Sequence, residues 1–176
     1  MSTNIEKPFA MTQFIDYLNT HAENVKTSKV NDLYYHVNVV ADAYTRGFTD
    51  GKEAAKQDVI DVIMQKAREQ FFEKANQVYL SAKATVNHLA EKNYKVEKIY
   101  IKVFHKSPKV IISVKSDLLL DDEFVEFAYP KIHEVQCSFH SLFQNTLDLS
   151  LIDTEGLDEE LLSKDGFDYS EPMYGE

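Results

Sequence analysis

Between Lys52 and Ser107 the chain has neither glycine nor proline, and the apolar positions Val59, Ile63, Ala67, Phe71, Ala75, Val78, Ala82, Val86 and Leu89 step by three or four. That is the period of one face of an α-helix, and the residues between are mostly good helix formers. A single helix from Lys52 to about Lys92 would reach about 60 Å at 1.5 Å per residue, more than the width of a domain of this size. The pattern predicts either two helices with a break near Asn76, folded on one core, or an unbroken rod that pairs with a second copy. Upstream, Phe14, Leu18, Ala22 and Val25, then Leu33, Val37, Val40 and Tyr44, predict two shorter helices over 10–27 and 31–46. Gly47-Phe-Thr-Asp-Gly51 interrupts the pattern, and Asp50 with Glu53 is placed to cap the long helix.

At Asn93 the period changes. Ile99, Ile101 and Val103 fall on one side of a strand and Lys98, Tyr100, Lys102 and Phe104 on the other. His105-Lys-Ser-Pro108 supplies a turn, and a second strand follows over 109–115 with Val110, Ile112 and Val114 inward, so the pair reads as a β-hairpin. Phe124, Ala128, Ile132, Val135, Phe139 and Leu142 then form a helical stripe. Residues 146–153 alternate again as a third strand, with Asp148 on its outward face, where it can sit opposite a lysine. The fold class is α+β: a helical N-terminal half with a long helix, then a β-β-α-β unit whose small sheet packs on helices. Three regions result: helices over 1–92, the β-β-α-β unit over 93–153, and an acidic tail over 154–176.

Ser116–Phe127 packs five carboxylates around three leucines. Asp121, Asp122 and Glu123 stand where the second strand ends and the helical stripe begins, so they read as an N-cap and an acidic first turn that oppose the helix dipole. Leu120 and Val125 sit at the positions of a hydrophobic staple. Pro130 inside the stripe should kink this helix or begin a second segment.

Charge changes the picture more than composition does. The net charge is −10, yet residues 93–115 carry six lysines against one glutamate, while residues 116–176 carry sixteen acids against two lysines. A basic segment beside an acidic one should attract it. Lys98, Tyr100, Lys102, Phe104, Lys109 and Lys115 would place cations among aromatic rings on the hairpin's outer face, as a sheet that binds single-stranded nucleic acid does. The acidic tail, with Leu157, Leu161, Leu162, Phe167 and Tyr169 as anchors, offers an intrachain alternative: it can fold against that face. A solvated face and a frayed tail are the third possibility. The overall negative charge disfavours nucleic acid as a partner.

Other chemistry is sparse. His133, Cys137 and His140 lie on adjoining turns and are weak metal-ligand candidates: positions seven apart are about 10 Å apart along a helix, too far for all three to share one ion. A buried thiol between surface histidines is the favoured reading. Gly47–Glu53 lacks the spacing, the Ser/Thr and the preceding strand of a phosphate loop. No residue set matches a catalytic or cofactor-binding motif, so no cofactor is expected and an enzyme is disfavoured. A single cysteine fits a reducing cytoplasm, the N-terminus has no secretion signal pattern, and no apolar run is long enough to span a membrane. The expectation is a cytoplasmic, non-enzymatic interaction or regulatory module, dimeric through its long helix in the manner of a coiled coil. The alternatives are single-stranded nucleic-acid binding by the hairpin face under control of the tail, and an enzyme of unrecognised type.

Overall fold

In the computed structural model, residues 9–24 and 53–173 are described. The expected helix over 31–46, the Gly47–Gly51 turn and the Asp50 cap lie outside them. Helix α1 spans Phe9–Asn24 and α2 spans Glu53–Glu91. Strands β1 (Val96–Lys102) and β2 (Lys109–Val114) follow, then a short α3 (Ser116–Leu119), α4 (Asp122–Phe143) and β3 (Asp148–Asp153). The chain continues as α5 (Glu159–Lys164) and β4 (Tyr169–Pro172).

α2 does not break at Asn76. It runs for 39 residues and stops where Asn93 adopts a left-handed φ of 58°. There the Tyr94 amide donates to the Leu89 carbonyl and the Asn93 amide to that of Ala90, which satisfies carbonyls the helix end would leave open. Its C-terminal half enters the core through Phe71, Ala75, Val78, Tyr79, Ala82 and Leu89.

The sheet order is β3-β2-β1-β4. β1 runs antiparallel to both β2 and β4, and β2 runs parallel to β3 through the α4 crossover. α2 and α4 pack side by side on one face, over Ile99, Ile101, Val110, Ile112 and Val114, all fully buried. The inward residues of both strands are those the alternation assigns. Asp148, predicted to stand opposite a lysine, pairs in register with Lys109, with 3.2 Å between Oδ2 and Nζ.

α4 begins as expected. Asp121 is its N-cap, and its carboxylate accepts from the amides of Glu123 (2.8 Å) and Phe124 (3.3 Å). The staple does not form, because Leu120 is 84 % exposed. The chain enters α4 from a helical turn rather than from an extended strand, and that turn directs Leu118 and Leu119 to the core instead. α4 continues through Pro130 as one helix. Leu142, assigned to the core stripe, is 64 % exposed, because Phe143, four residues after Phe139, takes the core-facing position of the last turn, the two ring centroids 4.9 Å apart; Gln144 then caps the helix at φ 50°.

The tail is structured. From β3 at one edge it crosses the outer face of the sheet as α5 and returns as β4 at the other edge.

Asp121→Ala should lower stability by about 1 kcal/mol in a urea titration at neutral pH, with unchanged slope. Leu120→Ser, at an exposed position that packs nothing, should stay within about 0.5 kcal/mol of the parent.

Candidate interaction surface

The outer face of β1 is occupied. Lys98 Nζ lies 2.9 Å from each carboxylate oxygen of Glu159, and Tyr100 OH donates to Glu159 Oε1 at 2.8 Å. The Lys98 ammonium also stands 5.1 Å from the centre of the Tyr100 ring. Asp158 caps α5 by accepting from the Leu161 amide, which fixes the helix start that carries Glu159. Further along, Lys102 donates to the Asp165 carbonyl and lies 6.0 Å from the Phe167 ring. Gly166 has φ +91°, and a Cβ there would come within 3.2 Å of the Lys102 side chain. A side chain at this position would strain the backbone and crowd the lysine.

Of the residues predicted for this surface, Lys98, Tyr100 and Lys102 do come together, beneath the tail. Tyr100 is only 4 % exposed. Lys109 faces Asp148 on the neighbouring strand, and Lys115 is exposed at the start of α3. Phe104 does not belong to this face. β1 ends at Lys102, the alternation lapses in the turn, and the Phe104 ring packs inward on Phe71 with centroids 5.2 Å apart.

The inner face of β4 carries Tyr169, one of the expected anchors, and Glu171, which sequence reasoning missed. Glu171 is 8 % exposed. Its Oε2 accepts from Tyr79 OH (3.0 Å) and Tyr169 OH (2.9 Å), and its Oε1 from Lys83 Nζ (3.1 Å). Phe14 stacks on Tyr79 at 4.7 Å and meets Tyr169 edge-on at 4.8 Å, so α1 closes the cluster. A buried carboxylate is tolerable because three donors converge on it. Burial, then the Glu171 hydrogen bond and charge, push the hydroxyls of Tyr79 and Tyr169 well above the usual tyrosine range. Tyr17 is pushed up by burial and by Asp168. A signal for β4 exists in Tyr169-Ser-Glu171-Pro, where buried and exposed positions alternate, but four residues are too few to separate a strand from a frayed end.

The metal candidates do not assemble. His133, Cys137 and His140 are all exposed, and Cys137 Sγ is 3.7 Å from the nearer ring nitrogens of His133. The thiol is thus on the solvent side of α4, not buried as expected, because the buried stripe passes through Ile132, Val135 and Phe139. Among the described residues no group of three His, Cys, Asp or Glu side chains can hold a metal ion. Nor is any of their helices long and apolar enough to cross a membrane. A cleft of about 530 Å³ opens between α2 and the end of α4, lined by Ala67, Gln70, Phe71, Glu73, Lys74, Leu142 and Phe143. Burial draws the Lys74 ammonium below the usual lysine range, and its Nζ donates to the Lys106 carbonyl at 3.3 Å.

No protein-family model matches this chain, and no curated protein or solved structure gives a significant match.

The tail contacts set the pH response. Hydrogen bonds from Lys98 and then Tyr100 hold the Glu159 carboxyl below its ordinary value of 4.5, against a smaller opposing effect of burial. A depressed value means that its contribution is complete above about pH 4.5 and fades as pH falls. Glu159→Gln should cost under about 1 kcal/mol at neutral pH, and the difference from the parent should shrink as pH falls below 4.5, read from urea midpoints. Raised tyrosines act at the other end: their contribution is complete below pH 10.0 and is lost as pH rises. Tyrosinate formation at Tyr79 and Tyr169 should therefore come late and together with unfolding, and Tyr79→Phe should soften that alkaline transition.

Proposed function

We propose that this chain is a non-enzymatic protein-interaction module that self-associates through the N-terminal half of α2. The observation that carries the reading is the length of that helix against the extent of the core. From Val59 to Gln70 no described side chain of α2 is buried, and burial begins at Phe71. Before it the helix continues without a break, and Val59 and Val62 are 43 % and 59 % exposed.

Charge favours a second copy as the occupant. Residues 53–61 of α2 carry three acids against Lys56, a net −2, and residues 66–69 carry Lys66 and Arg68 against Glu69, a net +1. An antiparallel pair sets each acidic stretch beside the partner's basic one while the apolar positions between them meet. The cleft beside Ala67 and Leu142 extends this surface onto α4.

The nucleic-acid reading is weaker, because three of its four lysines are engaged within the chain, Lys98 by Glu159, Lys102 by the Asp165 carbonyl and Lys109 by Asp148. For the enzyme reading, the cleft's lining holds only Glu73 and Lys74 as titratable groups, a thin basis for acid–base chemistry.

Light scattering coupled to size exclusion should give twice the 20.3 kDa of one chain. Val62→Glu should weaken the association about tenfold or more by burying a charge. Leu80→Glu, exposed on the same helix outside the stub, should leave it unchanged. A monomer at every concentration overturns the reading. Salt-sensitive binding of a single-stranded oligonucleotide would shift it to the hairpin face.

A further inference from the structure

β4 lies at an edge of the sheet, spans four residues and is the last described element of the chain. As an edge strand paired only with β1, it can leave without breaking any other strand pairing. What it would uncover is specific in three respects. The edge of β1 presents backbone donors and acceptors, now used from Lys98 opposite Pro172 to Ile101 opposite Tyr169. Phe14, Tyr17 and Tyr79 surround one side-chain position, with ring centres 4.8, 5.2 and 6.3 Å from that of Tyr169. Tyr79 OH and Lys83 Nζ then aim two donors at a carboxylate two residues further along. Positions i and i+2 of a strand share a face, so the aromatic cage and the carboxylate clamp read one extended segment together.

We propose that this slot is a peptide-binding site for an extended segment of a partner protein, carrying an aromatic residue and, two residues later, a carboxylate. β4 is its occupant in cis. The mode is strand addition to a sheet edge, in which main-chain bonds supply affinity and the alternate side chains supply selectivity. Lys83 makes the slot select for an anion, since with the clamp empty its partly buried ammonium loses the partner it now has. The tail does not drift away when β4 lifts. Glu159 on Lys98 and Asp165 on Lys102 tether it over the outer face, so the cis segment competes at a high effective concentration. A partner segment gains the slot when the cis plug is weakened.

The test uses the full chain and a fluorescent peptide of residues 166–173, Gly-Phe-Asp-Tyr-Ser-Glu-Pro-Met, followed by anisotropy. Tyr169→Ala with Glu171→Gln should raise its affinity for the peptide about tenfold or more over the unsubstituted chain. Adding Lys83→Ala, or replacing the peptide's glutamate by glutamine, should remove that gain. Equal binding by both chains, or no discrimination between the peptides, overturns the proposal. So does a gain in affinity that survives Lys83→Ala. Should the double substitution unfold the chain, amide exchange of the unsubstituted protein decides. Excess peptide should speed exchange at Ser170–Met173 while β1 and β2 amides stay protected, and tail amides that open only with global unfolding overturn the idea. Dimers of the unsubstituted chain that vanish on Tyr169→Ala with Glu171→Gln would assign the slot to a second copy's tail and overturn the assignment to a foreign partner.

Discussion

Everything in this fold is arranged around a helix that has no reason to stop. Lys52–Ser107 offers no glycine or proline, so α2 propagates one hydrogen bond per residue until Asn93 turns the backbone into the left-handed region. A sheet of four strands is narrower than the helix is long, so α2 can be fully buried over only part of its length. The stretch from Phe71 to Leu89 becomes the wall on which β1, β2 and α4 assemble, and the stretch before it is left with half-exposed valines. The core and the proposed self-association surface follow from this one mismatch.

The second organising feature is the separation of charge along the chain. A segment with a net +5 is followed by one with a net −14, and the structure lays the end of the second over the first. The ion pairs alone are a weak reason for this. Glu159 and Lys98 are both partly solvated, and such pairs contribute under about 1 kcal/mol. The stronger hold is on the inner side, where the Tyr169 ring fills a gap among Phe14, Tyr17 and Tyr79, two hydroxyls donate to Glu171 and Lys83 pairs with its charge. Charge brings the tail to the hairpin; aromatic burial fixes it there.

Sequence reasoning succeeded where one residue's neighbours decide its environment. The inward faces of β1 and β2, the Asp121 cap and the Lys109–Asp148 pair are legible because period and adjacency determine them. It failed where distant elements decide. Leu120 and Leu142 have the right local spacing for burial, yet one follows an unforeseen helical turn and the other gives way to Phe143. Phe104 follows the alternation only if the strand continues, and it does not. Cys137 lies two residues from both Val135 and Phe139, about 200° around the helix, which places its thiol in solvent. The Glu171 cluster was hidden for the same reason. Its parts come from α1, α2 and β4, and nothing in any of the three marks it as buried.

The two proposed surfaces share α2, and this bears on whether they can influence each other. Ile63 and Tyr79 are sixteen residues apart, about 24 Å along the axis. Coupling over such a distance needs an intervening element with two discrete arrangements that both sites bias. The stretch between them is one continuous helix packed on α4, with Phe71, Ala75 and Val78 fixed in the core. Exchanging one edge strand for another of the same chemistry leaves that packing as it was. The slot and the stub should therefore act independently: a partner segment displaces the tail without altering self-association, and two such partners can be held by one dimer.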